Sequence, residues 1–178
     1  MMLGYWYNFA NGAEDSFAVR NFINAAGYLS FALGATEVGL RNSATMCVPL
    51  ETCTRLGYNW LFVLAGVVFT TVHIQDIPDQ KGDGARGRKT LPLVIGDHSA
   101  RWSVGVMVLG WSFVAARMWT LGNAASFLPI GLGAIVALRL VAWGNNSSDE
   151  GIQRDKMTFR IWNIWVISLY FLPLLKPA

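Results

Sequence analysis

His73-Ile74-Gln75-Asp76-Ile77-Pro78-Asp79-Gln80-Lys81-Gly82-Asp83-Gly84-Ala85-Arg86-Gly87-Arg88-Lys89-Thr90-Leu91-Pro92 is the polar knot of an otherwise apolar chain. Its reading decides the fold. An apolar run of helical length, Tyr58 to Ile74, delivers the chain directly into it, and another begins at Trp102. Asp76, Asp79 and Asp83 stand at i, i+3 and i+7, so a helical backbone places all three carboxylates on one face. Lys81, Arg86, Arg88 and Lys89 follow at once. Acids and bases interleaved in this way suit a divalent metal held together with its polyanion, and magnesium diphosphate is such a pair.

The composition around the knot is that of a membrane protein. Of 178 residues, 53% are hydrophobic and only 14% charged, and the mean hydropathy is +0.38, well outside the usual soluble range. The net charge of +3 is small, and the bases are spread over several polar loops instead of forming an aromatic-studded basic face, which argues against a nucleic-acid partner. A lipid bilayer and a diphosphate are the partners this pattern favours. Cys47 and Cys53 fit neither a CxxC pair nor a zinc knuckle, so no disulfide framework is expected. Met1 to Asp15 lacks a basic leader region and carries Asn8, Asn11, Glu14 and Asp15, unlike a cleavable signal peptide.

Five runs have the length and apolarity of transmembrane helices: Phe22 to Leu40, Tyr58 to Ile74, Trp102 to Trp119, Phe127 to Trp143 and Ile161 to Leu175. The fold expected is therefore all-α, an integral membrane bundle of about five transmembrane helices. Arg41 to Gly57 and Asn145 to Arg160 read as polar connections. With alternating crossings, one side of the bilayer holds Arg20, Lys81, Arg86, Arg88, Lys89, Arg101, Arg154, Lys156 and Arg160, and the other only Arg41, Arg55, Arg117 and Lys176. The excess of bases places the Asp-rich loop in the cytosol.

Magnesium takes hard oxygen ligands, commonly one or two protein carboxylates plus substrate phosphates, which the aspartates supply. The bases would neutralise the departing diphosphate, arginine in bidentate fashion. Gly82, Gly84 and Gly87 allow a tight backbone, and Pro78 requires a helix end or a kink near Asp76. His73 reads first as a hydrogen-bonded residue at a helix end and second as a group that orders water or takes up a proton. Arg139 and Glu37, costly within a bilayer, are expected to pair, to face a polar cavity or to snorkel. Trp60, Phe69, Trp111, Phe113, Trp162 and Trp165 are packing or belt residues before they are a carbocation pocket. Asp97, beyond Pro92, stands outside the triplet and is expected to be dispensable.

Asp76-x-x-Asp79-x-x-x-Asp83, followed by Gly84-x-Arg86-Gly87-Arg88-Lys89-Thr90-Leu91-Pro92, resembles the second aspartate-rich motif of the UbiA superfamily of intramembrane prenyltransferases. It is most similar to a fungal branch that includes membrane-bound terpene cyclases. The resemblance implies a helical bundle, Mg2+ held by aspartates, ionisation of an allylic isoprenyl diphosphate and a hydrophobic pocket for its chain. Carried over residue by residue, Asp76, Asp79 and Asp83 become catalytic metal ligands, and Lys81, Arg86, Arg88 and Lys89 become diphosphate contacts. It implies an enzyme of isoprenoid and secondary metabolism, multi-pass in an endomembrane. Such an enzyme is terpene-cyclase-like, or alternatively a prenyltransferase that uses an aromatic acceptor.

Members of that superfamily have about nine helices and a first motif of the form N-D-x-x-D-x-x-x-D, which does not occur in this sequence. Glu14-Asp15 and Asp149-Glu150 have the wrong spacing. Residues 1 to 178 therefore read as a single, partial domain equivalent to the C-terminal half of the bundle. The other half is expected in a longer product or a second chain, and a catalytically incomplete membrane partner is the remaining alternative.

Overall fold

A computed structural model describes residues 16–42, 50–119, 123–142 and 148–172, together with Tyr5. These residues build long helices and no strand. Helix α1 is Phe17–Asn42 and α2 is Leu50–Thr71, which runs on into a 3-10 segment, Val72–Asp79. Two short helices follow, α3 (Gln80–Ala85) and α4 (Leu91–Ile95). Then come α5 (Asp97–Met118), α6 (Asn123–Ala142) and α7 (Asp149–Phe171). The five long helices answer the five apolar runs of the sequence.

Two polar connections prove to be largely helical. Of Arg41 to Gly57, only 43–49 lie outside the described helices. Of Asn145 to Arg160, everything from Asp149 onward forms the first turns of α7. Ser148 caps that helix, its Oγ accepting from the Gly151 N–H at 3.2 Å. Asp149 and Glu150 fill the first turn, where negative charge favours the positive end of the helix dipole. The start of α7 is polar because of what it touches, as described below. The aromatic run at Tyr5, the Glu14-Asp15 pair, Pro49, Cys47, Trp143, Asn145, Asn146 and Lys176 lie outside the described structure or at its isolated Tyr5, as do the side chains of Glu37, Arg41, Cys53 and Arg55.

The core is a layer of aliphatic and indole side chains shared by α2, α5, α6 and α7, with Leu64, Val67, Val68, Val104, Val108, Val136, Leu140, Trp162, Trp165 and Leu169 all buried. Small residues let the helices approach. A Cβ on Gly105 would touch Ala137, and one on Gly133 would collide with Ser112 Oγ, the close packing that membrane helices use in place of a hydrophobic drive. Three indole N–H groups in this layer find a hydroxyl on a facing helix. Trp111 donates to Thr70 Oγ1 at 2.8 Å, Trp162 to Thr71 Oγ1 at 3.0 Å and Trp165 to Ser112 Oγ at 2.9 Å. These three tryptophans are tied into packing, as a buried N–H requires. Trp60 stands edge-on to Trp119, ring centres 5.4 Å apart.

The outer faces remain apolar. Phe31, Phe62, Phe127 and Leu138 are more than two-thirds exposed, an arrangement suited to lipid. By length and composition, one described stretch, Gly57–Ala85, could cross a membrane, and Phe127–Ala142 is a shorter apolar helix.

Candidate functional site

The knot begins where α2 loses its α-helical pitch. Pro78 has no N–H to return to the helical ladder and its ring crowds the preceding turn, and Val72–Asp79 tightens to 3-10 pitch ahead of it. Eight residues is long for such a segment, and a stretch of this kind in mid-helix is a recurrent mark of a functional site. It carries Asp76 into the bundle interior, 1% exposed. There Asp76 Oδ1 accepts from Nη2 of Arg20 at 2.7 Å, a base itself buried on α1. The neighbouring Asn21 donates to the Phe69 carbonyl at 3.1 Å. Together these contacts pin α1 to the end of α2.

Downstream, the sequence Asp83-Gly84-Ala85-Arg86-Gly87-Arg88 spells a helix stop. The Arg88 N–H returns to the Asp83 carbonyl at 3.0 Å and the Gly87 N–H to the Gly84 carbonyl at 3.1 Å. Gly87 takes φ +69°. This is a Schellman motif, with glycine at the one position that needs a left-handed backbone. It folds Arg88 back over the turn, so that Nη1 meets Asp83 Oδ1 at 3.1 Å. Asp83 is 1% exposed, and the charges of Asp83 and Arg88 are close enough to act on Asp76. Arg20, Asp76, Asp83 and Arg88 thus make one cluster of two acids and two bases.

The third aspartate stands apart. Asp79 occupies the joint between the two helical pitches, with φ −113° and ψ 19°, and its side chain is exposed. It leans over Gly82, where any Cβ would strike its carboxylate. The single shared face expected from spacing assumes one unbroken helix, and the backbone at Asp79 is not helical, so Asp79 is exposed while Asp76 and Asp83 are buried. Among the described residues no three His, Cys, Asp or Glu side chains converge as a metal cage. Lys81, Arg86 and Lys89 are exposed on the same loop, whereas Arg88 is mostly covered by its contact with Asp83.

The donor set nonetheless suits Mg2+. Asp76 Oδ2 is buried and has no hydrogen-bond partner among the described residues, an unusual condition for a carboxylate oxygen. Two hard carboxylates are the number this ion commonly takes from a protein, the rest coming from water and phosphate. His73 is buried as well, its Nε2 2.9 Å from Ser103 Oγ. Ser103 directs its own proton to the Ala100 carbonyl at 2.8 Å, so Nε2 carries the proton of the His73–Ser103 bond. Nδ1 is buried and has no hydrogen-bond partner among the described residues, so His73 is hydrogen-bonded on one side of the ring and carries an open acceptor on the other.

A second polar network, which spacing alone did not reveal, braces the knot. Arg101 binds Asp155 through Nη1 and Nη2, each at 2.7 Å, and Asp97 through Nε at 2.8 Å. Asp97 in turn accepts from Gln80 Nε2, which also reaches the Ile77 carbonyl at 3.0 Å. Asp97 is therefore not the idle acid that its place beyond Pro92 suggests. The Asp97/Arg101 pair at i, i+4 was the one readable signal of this network. Arg20 and Asp155 had none, because their partners lie 56 and 54 residues away. Arg139 uses Thr158 Oγ1 at 3.1 Å and the Arg154 carbonyl at 3.4 Å, reaching toward the polar start of α7 as a snorkelling arginine does.

Between α1 and α2 runs an open apolar groove of about 390 Å³, lined by Phe22, Ala26, Leu29, Phe62, Ala65 and Phe69. An α-helix turns roughly 200° between positions two apart, so Phe22 and the groove face away from Arg20 and the carboxylates. Phe69 belongs to this outer groove, and Phe113 is 55% exposed.

Among the described residues the bundle is all-helical, with apolar flanks and aspartate–arginine pairs gathered at one polar end. The family model for the UbiA prenyltransferase family matches residues 2–164, and the chain belongs to that family, whose members are embedded in membranes. It is 27% identical to the fumagillin β-trans-bergamotene synthase of Aspergillus fumigatus over 114 residues, which is 64% of this chain and 37% of that protein. Two proteins of Hericium erinaceus are also similar. A polyprenyl transferase is 38% identical over 78 residues, covering 44% of this chain and 26% of that one. A diterpene cyclase is 37% identical over 81 residues, covering 44% and 25%. The chain thus aligns with between a quarter and about two-fifths of the length of these relatives. No solved structure matches it.

Proposed function

We propose that this chain carries the diphosphate-ionising end of an intramembrane, Mg2+-dependent enzyme acting on an isoprenyl diphosphate in the manner of a terpene cyclase. The observation that carries the reading is the buried pairing of Asp76 and Asp83 with Arg20 and Arg88. Charge pairs built on buried carboxylates, one with a buried arginine and one with a partly exposed arginine, are expensive to build and serve poorly as mere stability devices, whereas they suit a site that must exchange partners with a charged ligand.

Asp76 and Asp83 would hold Mg2+, which supplies Lewis-acid stabilisation of the diphosphate oxygens. Asp79, at the exposed rim, would join as the ligand enters. Arg88 turns from Asp83 toward the phosphates, and Lys81, Arg86 and Lys89 neutralise them from the loop. The allylic C–O bond breaks heterolytically, its electron pair leaving with the diphosphate and a carbocation remaining on the chain. The apolar bundle keeps water from that cation. Attack by the chain's own double bond, followed by loss of a proton, gives a cyclic terpene. Capture by an aromatic carbon, which then loses its proton, gives a prenylated arene, and the similarity to a polyprenyl transferase favours this as the second reading.

Membranes containing the protein together with the other half of the bundle, as a longer product or a second chain, should release diphosphate from at least one of geranyl, farnesyl and geranylgeranyl diphosphate, with release abolished by EDTA and restored by Mg2+, whereas residues 1 to 178 alone should release little. A hydrocarbon product without added acceptor identifies the cyclase, and product only with an aromatic acceptor identifies the transferase. No release from any of the three overturns the reading.

The excess of bases around the knot supports its placement on the cytosolic face of an endomembrane. Gly84 is a clean reporter because a Cβ there meets nothing within 4 Å. Gly84→Cys should react with an impermeant maleimide added from the cytosolic side of sealed microsomes. Labelling only after the membrane is permeabilised reverses the orientation.

A further inference from the structure

The contacts of Gln80 concern the geometry of the carboxylates more than the stability of the bundle. Gln80 is the first residue of α3 and follows Asp79 directly, so it sits at the joint that sets the separation of Asp76 and Asp83. Its amide is fixed from both directions, by the Ile77 carbonyl behind it and by Asp97 Oδ1 on α5. Asp97 is held in turn by Arg101 Nε, and Arg101 is locked to α7 by its two-pronged contact with Asp155. Arg101 is 3% and Asp155 8% exposed. A forked guanidinium–carboxylate pair fixes direction as well as distance. The chain of contacts therefore runs without a break from the beginning of α7, through the beginning of α5, to the joint of the knot.

We infer that Gln80, Asp97 and Arg101 are positioning residues, which hold the joint at the angle where Asp76 and Asp83 can share one Mg2+–diphosphate. The inference rests on the functional reading above. Outer hydrogen bonds that orient metal ligands are worth about tenfold or more in affinity, and a 1 Å misplacement of reacting groups costs up to roughly 10²-fold in rate. A residue that served stability alone would alter the amount of folded protein and leave the affinity of each folded molecule unchanged.

The test is Mg2+-dependent binding of inorganic diphosphate, measured by calorimetry on the detergent-solubilised protein, beside a thermal melt of each variant. Gln80→Met keeps length and packing but removes both donors. It should melt near the parent temperature while weakening diphosphate binding about tenfold. Asp97→Asn should weaken it similarly. The double variant Gln80→Glu with Asp97→Asn reverses the polarity of the bond, since the new amide on α5 can donate to the new carboxylate on α3. It leaves the Ile77 carbonyl without its donor, so it should recover part, and not all, of the affinity lost in either single change. Arg101→Lys, which loses the fork, should weaken binding if it folds, and its failure to fold leaves the decision with Gln80→Met. Unchanged affinity in Gln80→Met, or a double variant no better than the singles, overturns the inference. If Asp76→Asn and Asp83→Asn also bind diphosphate like the parent, the functional reading itself fails.

Discussion

Asp76→Asn should lower diphosphate release by about 10²-fold or more per folded protein, the scale of losing one preorganised charge contact in a water-excluded site. Asn keeps the size of Asp but removes the negative charge that holds Arg20 and that the proposed Mg2+ would use. Because Asp76 is 1% exposed and bound to Arg20 at 2.7 Å, water cannot replace the missing charge. Asp83→Asn should fall by a comparable factor, since Asp83 is as deeply buried and holds Arg88. Asp79→Asn is the informative third member. A smaller loss would match its exposed place at the joint, and an equal loss would mean that substrate draws all three carboxylates together. Release measured with labelled prenyl diphosphate decides the matter, and parent-like rates in both the Asp76 and Asp83 variants would remove Mg2+ from the site.

The fold was legible in its apolar runs and the site in its one dense motif. Tyr58 to Ile74 and Trp102 to Trp119 announce helices because they are apolar over helical length apart from a few residues such as Asn59, His73 and Arg117, and α2 and α5 follow. Gly82, Gly84 and Gly87 announced a tight backbone, and Gly87 proves to be the left-handed residue of a helix stop. Illegible were the helical turns whose polarity serves a partner distant in sequence. The start of α7 looked like a loop because Asp155 and Thr158 are polar, yet both are buried against Arg101 and Arg139. Hydropathy registers a side chain's cost in lipid and is blind to a hydrogen bond that cancels it. The shared face of the three aspartates was not realised for a local reason, since a spacing argument assumes an unbroken helix and the backbone leaves helical geometry at Asp79, next to Pro78.

Arg20 gives the second large effect, and one that separates architecture from chemistry. Arg20→Met removes the base and leaves Asp76 buried, at 1% exposure, without the guanidinium that holds its Oδ1. Breaking a buried pair from one side costs about 3–5 kcal/mol, whereas replacing both members with apolar residues of similar size is often neutral. Arg20→Met should therefore melt well below the parent protein in detergent, and Arg20→Met with Asp76→Leu should regain most of that stability. Diphosphate release should behave in the opposite sense, staying at the floor in the double variant because the metal-side carboxylate is gone. The pair is then retained for its reactivity at a cost in stability. A single Arg20→Met variant as stable as the double would show that Asp76 finds another partner, and an active double variant would show that ionisation does not pass through Asp76.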